Sequence, residues 1–351
     1  MTFEKKILAE MPKCYALGMF EGEDTPSFLA AVEKDGPIRR FTLDGEPLET
    51  VAPGPGGVMT ITQVPGRKDQ FLATRKFFSP NFGGDDAAIA SYTKQADGSW
   101  SEQILCDLPY VHRFGILKGA DGQLWIIACT IKGGAETGVK DDWRTPGAVW
   151  AAPLSDNLEQ YTADNQLKLT CVANYQVQNH GFWTAPDKSY VLISTAAGVF
   201  RYVPPTTPQG SWDVTCLLVQ PTSDIVATDF DGDGKLEILT FSKFHGDTLA
   251  IWHEGETRDR YEQVWCDPQK RSFLHALWAA ELNGEKCAVI GNRKDGRDLL
   301  LVRYVDGEYT VDVIDHDLGP ANCMVYRHDG SDYIVAAYRE TDQLALYKVV
   351  E

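Results

Sequence analysis

No stretch of this sequence is long and apolar enough to span a membrane, and the N-terminus lacks the apolar run of a secretory signal. None of the eight cysteines stands in a Cys-x-x-Cys pair, so the common local redox and zinc motifs are absent. Basic residues are few, 33 against 50 acidic ones, and the formal net charge of −17 argues against nucleic acid or an anionic membrane as a partner. These absences predict a protein of the reducing cytoplasm that binds neither nucleic acid nor membrane.

Helical periodicity is also scarce, whereas short β-rich runs separated by glycine, aspartate, asparagine and proline fill the chain. The runs form seven units, most of them roughly 45–50 residues long, which is the repeat length of a β-propeller blade. The units begin near Cys14, Val58, Val111, His180, Ile225, Leu274 and Asn322. A repeat of this kind predicts one blade for each unit.

The last unit supplies only three runs, and residues 3–9 offer the missing fourth. Pairing the two ends of the chain would close a ring and hide two exposed sheet edges. We therefore predict an all-β fold, a seven-bladed β-propeller over residues 1–351 as a single domain, closed by the N-terminal strand in the last blade. A pair of β-sandwiches is the alternative, but it leaves the regular repeat unexplained.

One short segment alternates acidic residues around a glycine turn. Its sequence is Asp229-Phe-Asp231-Gly-Asp233-Gly-Lys-Leu-Glu237. Carboxylate oxygens at this spacing suit a calcium ion, although the last acid stands at the ninth position and not at the twelfth position of an EF-hand loop. The flanks are strand-like, which places the predicted calcium at a hairpin tip in a structural role. A calcium loop in a hairpin resembles the FG-GAP/VCBS repeats of β-propellers.

Strand direction predicts a second site on the opposite face. The start of each innermost strand and the end of the second strand share one face, because neighbouring strands are antiparallel. The innermost strands begin with His112, His180, His275, Asn322 and the pair Ser223 and Asp224. The second strands end with Arg75, Lys132, Lys243, Arg293 and Arg339, and His245 follows two residues after Lys243. Imidazoles and cations gathered in an acidic protein predict a site for an anionic or electron-rich molecule around the axis.

The histidines allow two interpretations. His112, His180 and His275 are ligands of a divalent transition metal such as manganese or zinc, or one histidine is a general base while the others bind substrate. Each cation taken alone would fit an ordinary solvated strand end. Their recurrence at matching strand positions favours a functional site.

Two long segments are predicted to shape the mouth of this site, residues 77–86 and residues 133–144. Trp143 in the second segment is a candidate for stacking on a sugar ring. The same side chain would also serve simply to fill space.

The segment from Leu274 to Arg293 carries a second resemblance. A histidine opens its inner strand, an Asn-Gly hairpin follows, and Gly-Asn-Arg ends the return strand. This arrangement resembles VCBS-type propellers in sugar lyases and dehydratases, such as the aldos-2-ulose dehydratases, over units five to seven. The cupin modules of those dehydratases are absent here. The resemblance implies a carbohydrate-active enzyme that performs β-elimination on a keto-sugar or uronate, with a small anionic sugar or oligosaccharide as its partner.

β-Elimination removes a proton next to a carbonyl or carboxylate and builds negative charge on oxygen. A metal or clustered cations would stabilise that charge, and a neutral histidine or a lysine of lowered pKa would take the proton. The predicted catalytic residues are His112, His180, His275, His245, Lys132 and Lys243, and the predicted substrate-binding residues are Arg75, Arg293, Arg339, Asn322 and Trp143. The alternative function is a non-catalytic propeller that binds a glycan or a protein on the same face.

Overall fold

The structure, a computed structural model, describes residues 1–81, 83–134, 139 and 141–350. Within these residues, twenty-eight strands form seven antiparallel sheets of four strands each. Glycine and aspartate turns with positive φ, such as Gly45 and Asp306, separate the strands as the sequence pattern requires. The predicted all-β, seven-bladed propeller is therefore confirmed.

The strands fill one blade after another in chain order. The N-terminal strand β1 (Thr2–Glu10) belongs to the last blade. Blade 1 contains β2 (Cys14–Glu21), β3 (Pro26–Val32), β4 (Ile38–Thr42) and β5 (Pro47–Ala52). Blade 2 contains β6 (Ile61–Gln63), β7 (Gln70–Arg75), β8 (Ala88–Lys94) and β9 (Trp100–Asp107). Blade 3 contains β10 (Val111–Lys118), β11 (Leu124–Thr130), β12 (Gly147–Pro153) and β13 (Thr170–Gln176), with a 3-10 turn at Leu158–Gln160.

The second half of the ring repeats this plan. Blade 4 contains β14 (Gly181–Thr184), β15 (Val191–Thr195), β16 (Gly198–Val203) and β17 (Asp213–Leu218). Blade 5 contains β18 (Thr222–Thr228), β19 (Glu237–Ser242), β20 (Leu249–Glu254) and β21 (Tyr261–Cys266). Blade 6 contains β22 (Leu274–Leu282), β23 (Glu285–Asn292), β24 (Leu299–Val305) and β25 (Glu308–Asp315). Blade 7 contains β26 (Pro320–His328), β27 (Ser331–Tyr338) and β28 (Gln343–Val350), with β1 as its outermost strand.

The first strand of each blade is innermost, and these strands meet around a central axis. Inner strand β14 contacts β18, β22 contacts β26, and β26 contacts β2 where the two ends of the ring join. Apolar side chains fill the spaces between blades. Phe28 of blade 1, for example, lies between Phe41 at 5.4 Å and Tyr326 of blade 7 at 6.1 Å, measured between ring centroids.

The predicted closure of the ring is confirmed. Strand β1 pairs antiparallel with β28, from Thr2 opposite Val350 to Glu10 opposite Gln343. It extends beyond the predicted residues 3–9 at both ends. The outermost strand of the last blade therefore comes from the opposite end of the chain.

Two further features bear on the predictions from composition. All eight cysteines are free thiols, so no disulfide contributes to the fold. None of the helical segments in the described part of the chain has the length and apolarity that crossing a membrane would take.

A β-bulge recurs at the start of five innermost strands and positions the site described next. In each, the ladder to the second strand skips one residue. The skipped residues are Tyr15, His112, Ser223, His275 and Ala321. A bulge leaves its extra residue unpaired and re-aims the side chain. All five bulges lie on one face, opposite the hairpin that joins β18 to β19.

Candidate active site at the propeller axis

The carbonyl groups of the bulged residues accept hydrogen bonds from neighbouring blades. Nδ1 of His180 lies 3.1 Å from the Ser223 carbonyl oxygen, and Nδ1 of His275 lies 2.6 Å from that of Ala321. A carbonyl oxygen can only accept, so each Nδ1 carries the proton and each Nε2 keeps its lone pair. The fold thereby sets the tautomer of both histidines.

Two further bulges use the same arrangement with other donors. Nδ2 of Asn322 donates to the Tyr15 carbonyl at 2.8 Å, and Oγ1 of Thr60 donates to the His112 carbonyl at 3.1 Å. Asn322, a predicted substrate-binding residue, therefore has a structural bond that ties blade 7 to blade 1. Its side chain also lies at the edge of the central cavity.

Four histidines lie together at the axis. The ring centroids are 4.7 Å apart for His112 and His180, for His180 and His245, and for His245 and His275. One ring nitrogen each from His180, His245 and His275 lies within 4.8 Å of the other two. His112 is adjacent to this group but is not part of it, which differs from the predicted ligand set of His112, His180 and His275.

His245 reaches the cluster from a loop and not from an innermost strand. It follows β19, has a φ of 50°, and its backbone N–H donates to Oγ of Ser223 at 3.1 Å. Its ring stacks on Phe273 with centroids 4.5 Å apart. The left-handed backbone conformation turns the His245 imidazole inward, toward His180 and His275, which lie in other blades.

Burial keeps the four imidazoles neutral. It lowers the pKa of His180 to about 3, with a further lowering by Arg113. Burial also lowers the pKa of His112, His245 and His275 well below the usual value, and the neighbouring histidines and arginines add to the effect. Neutral imidazoles are the form that ligates metal or accepts a proton.

The nitrogens available at the axis suit a divalent transition metal. Nε2 of His180 and Nδ1 of His245 are buried without a hydrogen-bond partner among the described residues. Nε2 of His275 lies 3.3 Å from the Tyr15 hydroxyl, which can donate to it. Three neutral imidazoles are the ligand chemistry that zinc and manganese-type sites use, and two of them are held in orientation by the hydrogen bond from Nδ1 to a backbone carbonyl.

Aromatic side chains and one lysine surround the cluster on its own face. His112 contacts Phe77 at 5.1 Å, and Phe244 lies 5.4 Å from His180 and 4.9 Å from Trp143, between ring centroids. Trp143 therefore packs into this aromatic layer. Of the two segments predicted to shape the mouth, Phe82, residues 135–138 and residue 140 lie outside the described residues.

Lys132 is the buried cation of this layer. Only 1 % of it is exposed, and its Nζ lies 5.2 Å from the Trp143 ring centroid. No hydrogen-bond acceptor for that nitrogen exists among the described residues. Burial lowers the pKa of Lys132, against the opposing effects of Asp142 and Asp141. This is the environment in which a lysine becomes a usable base.

The predicted ring of five cations does not form as a unit. Arg75 pairs with Glu102 on β9, the outermost strand of its blade, so its guanidinium lies away from the axis. Arg339 pairs with Glu33 and Glu340, and Lys243 is exposed. Arg293 comes nearer, with its guanidinium 4.8 Å from the Phe273 ring centroid and 2.6 Å from a Glu340 oxygen. The strand-end positions are as predicted, but the side chains of Arg75 and Arg339 form ion pairs instead.

Two charged residues of inner strands lie at the axis beside the histidines. Arg113, which the strand-end pattern does not indicate, donates to the Met59 carbonyl at 3.1 Å and lies 5.7 Å from the Tyr15 ring centroid. Asp224, which that pattern does include, is buried, and its Oδ2 lies 3.6 Å from Nδ1 of His180. Burial raises the pKa of Asp224 to about 7, against the lowering effect of Arg113. A charge within an otherwise apolar inner strand is the sequence signal that would have found Arg113.

A cavity of about 680 Å³ occupies the axis on the other side of Arg113. Its polar end next to the histidines is formed by Arg113, Asp224 and Asn322. Asp229, Glu281 and Lys286 also line it, and the rest of its walls is mostly apolar, as at Phe114 and Trp183. This volume lies in the range of small-molecule pockets. The histidine cluster and the cavity therefore meet at the layer that contains Arg113.

The acidic loop lies at the opposite end of blade 5, at the predicted hairpin tip. Asp231, Asp233 and Glu237 group there with His253 of β20, and Asp229 is not part of the group. Both carboxylate oxygens of Asp229 accept backbone N–H groups, from Gly232 at 2.8 Å and Gly234 at 3.1 Å. Asp229 thus shapes the turn, and the donor set differs from the predicted four acids.

The neutral histidines predict an acid-sensitive fold. Their pKa values lie below the unfolded value of about 6.5, so the unfolded chain binds protons that the native chain does not, and stability falls as the pH drops below about 6.5. Each such histidine contributes a slope of about 1.4 kcal/mol per pH unit. Asp224 and Glu237, whose pKa values are raised to about 7, act in the opposite direction over the same range.

A single substitution isolates the contribution of one histidine. In metal-free protein, His112→Phe should reduce the slope of unfolding free energy against pH by about 1.4 kcal/mol per unit near pH 5. Phenylalanine keeps an aromatic contact with Phe77, so the packing change is small. Urea unfolding at several pH values measures the slope, and an unchanged slope would show that His112 titrates normally.

Comparisons with known proteins show the fold alone. No family model matches the chain, and no curated protein sequence matches it. Among solved structures, it is similar to a streptogramin B lyase with 15% identity and a TM-score of 0.60, covering 98% of this chain and 97% of that one. It is similar to the Cps50 (Swd1) β-propeller domain of Myceliophteria thermophila with 8% identity and a TM-score of 0.64, covering 99% and 100%. A protein provisionally assigned as a 6-phosphogluconolactonase, from Bacteroides uniformis, has 14% identity and a TM-score of 0.56, covering 95% and 92%.

Proposed function

We propose that this propeller is a metal-assisted carbon–oxygen lyase that performs β-elimination on a keto-sugar or uronate at its axis. The observation that carries the proposal is the group of His180, His245 and His275. Two of these imidazoles have Nδ1 fixed on backbone carbonyls, and all three are neutral. Nε2 of His180 and Nδ1 of His245 have no hydrogen-bond partner among the described residues, and Nε2 of His275 has only the Tyr15 hydroxyl, which suits the binding of a metal.

The three histidines would hold the ion. When bound, a divalent metal supplies Lewis-acid polarisation of a carbonyl or carboxylate oxygen. His112, whose ring is 4.7 Å from His180, stays outside the ligand group and is the first candidate for the base. Lys132, buried and of lowered pKa, is the second. Either would accept the proton from the carbon next to the carbonyl, because burial keeps His112 neutral and lowers the pKa of Lys132.

The bonds in this reaction balance without a further reagent. As the proton leaves, the C–H electrons form the new carbon–carbon double bond. The C–O bond at the neighbouring carbon breaks with its electron pair on oxygen, and a proton delivered to that oxygen yields water or an alcohol. The protonated base can return its proton to this oxygen.

Arg113 is the cation best placed to recognise an anionic substrate. It stands at the polar end of the 680 Å³ cavity, with Asp224 and Asn322 beside it. A planar guanidinium binds a carboxylate through two hydrogen bonds. The cavity walls are largely apolar, and an aromatic side chain such as Phe182 or Trp183 can pack against one face of a sugar ring. A uronate carboxylate at Arg113 would lie next to the histidine layer.

The names of two similar structures, a lyase and a protein assigned as a lactonase, agree with an enzymatic role for a propeller of this kind. At 15% and 14% identity they carry no residue roles to this chain. The proposal therefore depends on the histidine geometry.

The test combines elemental analysis with a spectroscopic assay. Purified protein should contain about one equivalent more transition metal than a variant in which His180 and His275 are both alanine, and incubation with keto-sugars and with uronides that can undergo elimination should produce the ultraviolet absorbance of a conjugated double bond. Protein dialysed against a chelator is the matched control and should be inactive until metal is returned. Absence of metal together with absence of product over the whole panel would favour the non-catalytic glycan- or protein-binding propeller.

A further inference from the structure

The acidic loop of blade 5 has a neighbour that its own sequence does not reveal. His253 is on β20, and its Nε2 lies 3.1 Å from an Asp233 oxygen, 3.5 Å from Oε1 of Glu237 and 3.9 Å from an Asp231 oxygen. One donor atom from each of these four residues lies within 4.8 Å of the others. The group therefore contains three carboxylates and one imidazole.

Glu237 is the independent sign that this group binds a ligand. Its side chain is fully buried, and Oε2 accepts the backbone N–H of Phe230 at 2.5 Å. Oε1 has no hydrogen-bond partner among the described residues and faces His253. A buried carboxylate oxygen without a partner is costly, and a bound cation would remove that cost.

We propose that Asp231, Asp233, Glu237 and His253 form a second divalent metal site, selective for a transition metal such as zinc or manganese over calcium. Calcium prefers hard oxygen ligands, typically six or more, whereas imidazole nitrogen favours transition metals. Asp229, the first acid of the loop, accepts two backbone N–H groups of the turn and is not part of the donor group. This donor set departs from the calcium site that the sequence predicts.

The surroundings leave one side of the site accessible. Asp231 and His253 line a surface pocket of about 480 Å³ together with Trp265, Tyr304 and Tyr309. A metal held by the four residues would have its remaining coordination positions toward this pocket, where water can enter. The site is on the face opposite the axial histidines, so it does not depend on the proposed lyase activity.

Metal titration of the full-length protein tests this proposal. After chelator treatment, isothermal titration with zinc and with manganese should reveal two sites, one axial and one in blade 5. His253→Ala should remove one site, weakening it by about 100-fold or more, since even the partners of metal ligands contribute about 10–100-fold. Asp229→Asn is the matched control and should keep both sites, because an amide oxygen can still accept from the turn.

Two outcomes would overturn the proposal. One is calcium binding at this site that tolerates His253→Ala but not Asp229→Asn, which would establish the predicted calcium loop. The other is no loss of any site in His253→Ala or in Glu237→Gln. The visible absorption of bound cobalt gives a second measurement. If an imidazole nitrogen coordinates the cobalt, the bands of wild-type protein should be kept in Asp229→Asn and should shift in His253→Ala. Circular dichroism verifies that each variant is folded.

Discussion

Replacing His180 and His275 together by alanine should remove the axial metal and reduce turnover by about 1,000-fold or more. Both imidazoles contribute to the axial group, with their tautomers fixed by the Ser223 and Ala321 carbonyls, so the double variant leaves only His245 of that group. Loss of the metal removes the stabilisation of negative charge on the substrate oxygen, which is commonly the largest catalytic contribution. Metal content by mass spectrometry and turnover in the ultraviolet assay measure the two effects separately.

The control is a histidine of the same chain that lies away from the axis. His316 is exposed and contacts only Asp298 at 3.2 Å among the described residues, so His316→Ala should keep both metal and activity within about twofold. Urea unfolding of the double variant separates loss of metal from loss of fold. Retention of full turnover by the folded double variant would end the lyase proposal.

The ring itself could be predicted because its signals are local. Seven repeating units and a last unit one strand short are properties of the sequence, and residues 3–9 could be recognised as the missing strand. Strand pairing then follows from adjacency, since consecutive strands in each blade are hydrogen-bonded neighbours. Unit starts such as Cys14, Val111 and Leu274 coincide with the first residues of innermost strands.

The site could be predicted only at the level of which residues come near the axis. His180 and His275 meet there, but the bulges that orient them skip residues as different as Tyr15, Ser223 and Ala321, and no residue type marks them. An ion-pair partner decides whether a strand-end cation reaches toward the axis or toward the outer strands. Arg75 extends outward to Glu102 for that reason, although its position in β7 is as predicted.

Side-chain contacts between paired strands were also beyond the sequence. His253 is sixteen residues after Glu237, yet β20 pairs directly with β19, and this pairing places its imidazole on the acidic loop. Asp229 and Glu237 look equivalent as acids in the loop sequence. Only the backbone geometry shows that one stabilises the turn while the other keeps a buried, unpartnered oxygen.

Deleting residues 1–10 should destabilise the protein by about 5 kcal/mol or more, which is a large part of the stability of a typical domain. The deletion removes β1 and leaves the whole of β28 as an unpaired edge, because the two strands pair from Thr2 opposite Val350 to Glu10 opposite Gln343. It also removes the ion pair of 2.7 Å between Lys5 and Asp315, which ties blade 7 to blade 6. An exposed edge strand promotes pairing with other chains. Urea unfolding and size-exclusion chromatography should show a less stable protein that self-associates.

A synthetic peptide of residues 1–12 provides the decisive comparison, because it can restore the missing strand without a covalent link. Added in excess, the peptide should bind the truncated protein and return its urea midpoint toward that of the full chain, by mass action. A control peptide in which proline replaces Lys6 and Leu8 should not, since proline cannot donate to the ladder and is poorly tolerated within a paired strand. If the truncated protein is as stable and monomeric as the full chain, β1 contributes little to closure, and the last blade must be held by its other three strands.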